Sequence, residues 1–243
     1  MKLGQIKKVV VIGCGGTGSY LIDVLSRFLE NSPDFTGQFW LVDGDKYSAD
    51  NASRQNFHYK LEGYNKAEAQ AAIISQRFPQ INERLTYIGE YVGDKNVNSI
   101  LEEGTVVFNC VDNHVARRLV ETRISQLKDA VHICAGNEKV DGQVQYRVRK
   151  SGRDMTPTIF NRFPEIQEKM DGDRSQMSCE QLSKLPSGGQ IIATNFMAAA
   201  LMMMYFTSLI NFGANKNYFP CDTVRFDVLN ASFLREGVID PKV

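Results

Sequence analysis

The chain has 243 residues, 43% hydrophobic and 23% charged, enough to bury the core of one sizeable α/β domain. Its 28 Lys+Arg and 28 Asp+Glu cancel, so no net field draws it to nucleic acid or to an acidic membrane. Five scattered cysteines (Cys14, Cys110, Cys134, Cys179 and Cys221) form no C-x-x-C pair, which argues against structural zinc and for free thiols in a reducing, cytoplasmic setting.

The first element is KKVVVIG, Lys7 to Gly13, a valine-rich run that stops at glycine as a buried parallel strand does. Because it passes directly into a glycine turn, it reads as a strand rather than a signal peptide. GCGGTGS then opens a helix over Tyr20 to Glu30, with Leu21, Val24, Leu25, Phe28 and Leu29 at helix spacing. QFWLV, Gln38 to Val42, is the second strand, and Gly63 to Phe78 a helix of good helix formers. Leu85 to Ile88 and Thr105 to Cys110 are strands, with a short helix over Asn96 to Glu103 between them. A helix over Asn113 to Gln126 leads to the strand AVHICA, Ala130 to Ala135. The alternation in GQVQYRVR, Gly142 to Arg149, suits an exposed or antiparallel strand.

Strands alternating with helices through residue 135 predict a doubly wound, mostly parallel, Rossmann-like sheet within a single domain over residues 1–243. Residues 151–189 are polar, broken by Pro157 and Pro164, and read as a partly ordered crossover-loop insert. Ile191 to Ile210 is uncharged and long enough to cross a bilayer. It lacks flanking Lys/Arg asymmetry and carries Thr194, Asn195, Thr207 and Ser208, so it reads as a core or interface helix. Thr223 to Leu229 is the last strand, in an antiparallel C-terminal part.

Gly13, Gly15 and Gly18 satisfy G-x-G-x-x-G after a strand and before a helix, with Gly16 in the same turn. Such a turn lets backbone N–H groups and a helix N-terminus meet a phosphate. The motif alone leaves NAD, FAD and ATP open. Asp43, ending the second strand, is where a dinucleotide enzyme places an acid on a ribose hydroxyl.

The residues beyond Asp43 are more specific. VDGDKYSADNASRQ, then the lysine of GYNKAEA, then NCVDNHVARR together resemble the ThiF/MoeB/ubiquitin-activating superfamily. There a strand ends in D-x-D, N-x-x-R-Q comes next, a lysine opens the next helix and an aspartate ends a later strand. Asp43, Asp45, Asn51, Arg54, Gln55, Lys66, Asp112 and Asn113 fall on that pattern, and Arg117 where an arginine is usual. The resemblance implies ATP- and Mg²⁺-dependent adenylation of the C-terminal glycine of a small ubiquitin-like or sulfur-carrier protein by a homodimer. By resemblance Asp43 holds the ribose, Arg54 and Lys66 bind phosphate charge, and Asn51 and Gln55 orient the nucleotide or its loop. The same resemblance implies that Asp112 is the Mg²⁺ ligand and that Asp45 positions the Arg54 loop.

Cys179, in MSCEQLSKLPSGGQ before the long apolar helix, resembles the cysteine segment of the single-chain activating enzyme of the ubiquitin-fold modifier. The resemblance implies that Cys179 takes the acyl group as a thioester, its thiolate favoured by Arg174 or Lys184. His58, His114 and His132 have no ligand spacing. Many members bring an arginine into the partner's ATP site from an added N-terminal helix, and the six residues before KKVVVIG hold none. That departure keeps a non-catalytic nucleotide-binding scaffold as a rival reading. An NAD(P)-dependent oxidoreductase is the other rival, but it has no use for N-x-x-R-Q or Lys66.

Overall fold

A computed structural model describes residues 2–57, 59–167, 190–212 and 221–238. His58 and Cys179 lie outside them, as do Arg174 and Lys184. The strands are β1 (Lys8–Ile12), β2 (Gln38–Val42), β3 (Leu85–Ile88), β4 (Thr105–Asn109), β5 (Ala130–Asn137), β6 (Asp141–Lys150), β7 (Arg153–Asp154), β8 (Cys221–Asp227) and β9 (Ser232–Val238). The helices are α1 (Gly16–Glu30), α2 (Lys66–Arg77), α3 (Pro79–Asn82), α4 (Val97–Ile100), α5 (His114–Gln126), α6 (Ile159–Arg162) and α7 (Ile192–Phe212).

Among the described residues nine strands join one sheet of order β3-β2-β1-β4-β5-β6-β8-β9, with β7 added on β6. β3, β2, β1, β4 and β5 run parallel, and the pairings among β5, β6, β7, β8 and β9 are antiparallel. This is the mostly parallel sheet with an antiparallel C-terminal part that the sequence predicts. β1 has every residue buried, as a central strand covered on both faces requires. Val9 and Val11 pack with Leu21, Ile22 and Leu25 of α1 and with α2 and α7, while Val10 and Ile12 pack with Val120 and Ile124 of α5. Two layers of helix therefore sandwich the sheet.

Helix α7 is long and apolar enough to cross a membrane, but half of its most apolar window is buried inside the protein. Ala198, Met202, Phe206 and Leu209 are fully buried and belong to the same core as α1. Its interior position explains the missing charges.

The start of the predicted insert carries secondary structure. Arg153–Asp154 pairs with β6, and α6 closes over Cys134, where Ile159, Phe163 and Ile166 form a small satellite core. A buried charge network anchors this limb. Arg147 bonds Glu121 Oε1 at 2.6 Å and Asp154 at 2.8 Å, and Ile159 N–H also donates to Glu121 Oε1. β9 was not expected; SFLREGV mixes apolar and charged residues because it is an edge strand, paired among the described residues with β8 alone.

Candidate nucleotide site

The carboxyl ends of β1, β2 and β4 meet where the strand order reverses, the usual binding crevice of an open α/β sheet. Gly13 has φ +91°, and a Cβ there would lie 2.9 Å from the Cys110 carbonyl. At Gly18 a Cβ would stand 1.8 Å from the Gly13 carbonyl oxygen. Glycine is therefore required at both positions for the turn to lie against β4. Gly15 is different: the nearest groups to its Cβ position are Gln55 Nε2 at 3.7 Å and Lys66 Nζ at 3.9 Å. The loop thus opens toward an amide and a cation that the sequence places 40 and more residues away.

Helix α1 begins at this turn without a side-chain cap. By contrast, Asn65 caps α2 and Asn113 caps α5, accepting from Ala116 N–H at 2.8 Å. The α1 N–H groups are left for a ligand. Asn113, one of the candidate nucleotide contacts, spends its side-chain oxygen on the α5 cap.

The two aspartates of the D-x-D pair separate in role. Asp43 is buried, its Oδ2 accepting from Cys14 N–H at 2.6 Å and its Oδ1 from Asp45 N–H at 2.8 Å. Burial pushes its carboxyl up to about 6, against the pull of Lys66 and of those N–H donors. Asp43 clamps the glycine loop to the end of β2. The Asp45 side chain is 41% exposed, pairing through Oδ2 with Lys66 Nζ at 3.1 Å and through Oδ1 with the Tyr91 hydroxyl.

Arg54 is the most informative residue. Other buried cations are compensated: Lys8 pairs with Glu102, Lys66 with Asp45, and Arg147 with Glu121 and Asp154. Arg117 is buried too, but donates to the carbonyls of Val111 and Ala135. Arg54 is 6% exposed, yet no carboxylate pairs with it among the described residues. A buried guanidinium without a counter-ion is costly unless an anion arrives. Beside it in the chain, Asn51 Nδ2 and Gln55 Oε1 are buried polar atoms with no hydrogen-bond partner. Orphaned donor, orphaned acceptor and uncompensated cation together fit a polyanionic nucleotide.

Three helices hold the Arg54 loop in place. Ser19 Oγ of α1 accepts from Asn56 N–H at 2.9 Å, and Gln70 Nε2 of α2 donates to Asn56 O at 3.0 Å. From α7, Asn195 Nδ2 donates to Arg54 O at 3.0 Å. Asn195 is fully buried; its Oδ1 accepts from Asn137 Nδ2 at 2.7 Å, and Asn137 Oδ1 accepts from Thr17 Oγ1. Sequence reasoning missed this node, although an asparagine near the start of an uncharged helix was the signal available for it.

Asp112 is half-buried at the end of β4, on the loop whose Val111 carbonyl Arg117 grips. Among the described residues no group of three or more His, Cys, Asp or Glu could hold a metal by itself. A single carboxylate beside a phosphate site still fits Mg²⁺, which takes one or two carboxylates and completes its shell with phosphate oxygens and water.

Comparison with known proteins agrees with this fold. The profile of the ThiF family matches residues 2–236. Ubiquitin-like modifier-activating enzyme 5 of Aedes aegypti is 33% identical over 133 residues, 50% of this chain and 32% of the relative. The same enzyme of Bombyx mori is 29% identical over 150 residues, 58% of this chain and 37% of the relative. The aligned chain thus accounts for a minority of each relative's length. Among solved structures, E. coli MccB with ATP superimposes with TM-score 0.63 at 19% identity, covering 98% of this chain and 67% of MccB. E. coli MccB with MccA gives TM-score 0.61 at 17% identity, covering 96% and 65%. At such identities the likeness establishes the fold.

Proposed function

Because the chain belongs to the ThiF family, we propose that it is an adenylyltransferase that activates the C-terminal glycine carboxylate of a small ubiquitin-like or sulfur-carrier protein. The observation that carries this reading is the buried, uncompensated Arg54 beside the glycine turn, with Asn51 Nδ2 and Gln55 Oε1 orphaned next to it. The relatives named as modifier-activating enzymes, and MccB solved with MccA, support a small peptide or protein as the acyl donor.

In the proposed reaction a carboxylate oxygen of the carrier attacks the α-phosphorus of ATP. The new acyl–phosphate bond forms as the bond to the bridging α–β oxygen breaks, and pyrophosphate leaves with that electron pair. Two anions must approach each other, so fixed positive charge is the main requirement. Arg54 and Lys66 supply it, and the uncapped α1 N-terminus adds its N–H groups. Mg²⁺, held by Asp112, would neutralise further phosphate charge when bound. Asp43, which holds the glycine loop through the Cys14 and Asp45 N–H groups, keeps an acceptor position on each oxygen for the ribose, and Asp45 pairs with Lys66 beside it.

Cys179 is proposed to receive the acyl group from the adenylate as a thioester, releasing AMP. The apolar side chains that α7 leaves exposed, Ile192, Phe196 and Met204, support a homodimer interface on that helix. Four cysteines are free thiols among the described residues, which supports a reducing cytoplasmic setting.

Titration calorimetry tests the nucleotide reading. MgATP is expected to bind wild type and to lose binding in Arg54→Met, with NADH inert towards both. Binding of NADH in place of ATP would replace this reading with an oxidoreductase.

A further inference from the structure

Asn195 Nδ2 lies between the two halves of the crevice. It donates to the Arg54 carbonyl at 3.0 Å, and it stands 2.6 Å from where a Cβ of Gly16 would be. That carbonyl belongs to the peptide unit joining Arg54 to Gln55, whose side-chain amide reaches to 3.7 Å from the Cβ position of Gly15. One amide from α7 therefore separates the first turn of α1 from the peptide that carries both Arg54 and Gln55.

The amide is held against rotation. Its Oδ1 accepts from Asn137 Nδ2 at 2.7 Å, Asn137 Oδ1 accepts from Thr17 Oγ1 at 3.3 Å, and Gln190 Nε2 donates to the Asn137 carbonyl at 2.9 Å. The helix that carries it is fixed as well: Ala198 and Met202 are fully buried in the core shared with α1, and Thr194 Oγ1 donates to the Lys139 carbonyl at 2.8 Å. Of the two parts that the amide separates, the glycine turn is locked against β4 at Gly13, whereas the Arg54 loop hangs on side-chain bonds from Ser19, Gln70 and Asn195. The loop is thus the part that shifts when the amide is lost. A guanidinium meets phosphate through directional donors, so a displacement of about 1 Å loses a bond.

We propose that Asn195 is a positioning residue of the phosphate subsite: its amide sets the gap between the glycine turn and the Arg54 loop to the width at which Arg54 meets the phosphates. The proposal rests on the reading of this crevice as the ATP site. Asn195 acts through Arg54, without a substrate contact of its own.

The test is titration calorimetry of wild type and Asn195→Ser with MgATP and with adenosine, together with the NMR resonance of the Arg54 Nε–H, assigned by its absence from Arg54→Met. Asn195→Ser is expected to lose about tenfold for MgATP, the size of one hydrogen bond to a charged group, and nothing for adenosine. Saturating MgATP should displace the Arg54 resonance in wild type and displace it less in Asn195→Ser. Asn137→Ser, which releases the amide without touching the Arg54 loop, is expected to follow by a smaller factor and carries the test if Asn195→Ser does not fold; no loss of MgATP affinity there would then overturn the proposal. Equal losses for MgATP and adenosine in Asn195→Ser, or no loss for either, would overturn it by leaving Asn195 a packing role only. A loss for MgATP with the Arg54 displacement unchanged would overturn it by placing the effect outside Arg54. Absence of any ATP binding by wild type would instead remove the nucleotide reading itself.

Discussion

Gly16 lies outside the G-x-G-x-x-G glycines, yet the structure gives it a specific reason to be glycine. A Cβ there would stand 2.6 Å from Asn195 Nδ2 and 2.8 Å from Asn195 Cγ. Asn195 cannot yield easily, because bonds of 2.7 Å to Asn137 and 3.0 Å to the Arg54 carbonyl hold it inside the core. Gly16 opens α1 and is not among the positive-φ glycines, so the backbone itself would accept alanine. Two terms then oppose each other. Overpacking costs about 1–3 kcal/mol, and the stiffer unfolded chain returns about 0.4–1 kcal/mol. The net loss for Gly16→Ala is about 1–2 kcal/mol, a fall in Tm of about 2–8 °C at this chain length. Asn195→Ala alone loses two buried hydrogen bonds and strands their partners, about 2–5 kcal/mol. In that background the clash is gone, so Gly16→Ala should reverse sign and stabilise by up to about 1 kcal/mol. Urea denaturation of the four proteins without nucleotide closes the cycle. Equal destabilisation by Gly16→Ala in both backgrounds would refute this reasoning.

Three further outcomes are expected. Arg54→Met should leave stability within about 0.5 kcal/mol of wild type or raise it, because it removes an uncompensated buried charge. Arg147→Met removes one of two cationic partners of the buried Glu121, leaving it His132 and Ile159 N–H, and should cost about 1.5–3 kcal/mol; similar urea midpoints for the two variants would deny the contrast. For His132, burial lowers the imidazole pKa, but hydrogen bonds to Cys134 and Glu121 outweigh it and carry the value up to about 9. Its stabilisation is complete below the unfolded value near 6.5 and is lost as pH rises through about 9, roughly 3 kcal/mol in all. A urea midpoint that falls between about pH 7 and pH 9.5 would show this, and an unchanged midpoint would contradict it. Finally, a carrier adduct that thiols cleave by thioester exchange should form with ATP in wild type and vanish in Cys179→Ala; an adduct that survives the substitution would move the thioester elsewhere.

The parallel half of the fold was legible because β1 and β4 are unbroken apolar runs ended by glycine or a polar turn, a local signal. The candidate site was legible in its residue types, since the N-x-x-R-Q loop and Lys66 both reach the glycine turn that the sequence singles out. Their division of labour was not. That Asp43 serves the backbone and Asp45 faces outward depends on how the glycine loop folds back on β2, which spacing does not encode. Tyr91 and Asn195 reach the site from β3's exit and from α7, so only the assembled sheet reveals them. β9 escaped notice because an edge strand needs little hydrophobic alternation.

The most direct test of the proposed activity is ATP–pyrophosphate exchange in the presence of small carrier proteins ending in glycine. Wild type is expected to show carrier-dependent exchange that is abolished by Arg54→Met and by Asp112→Ala and kept by Cys179→Ala. Tight ATP binding with no exchange from any such carrier would contradict adenylation and leave a nucleotide-binding scaffold in its place.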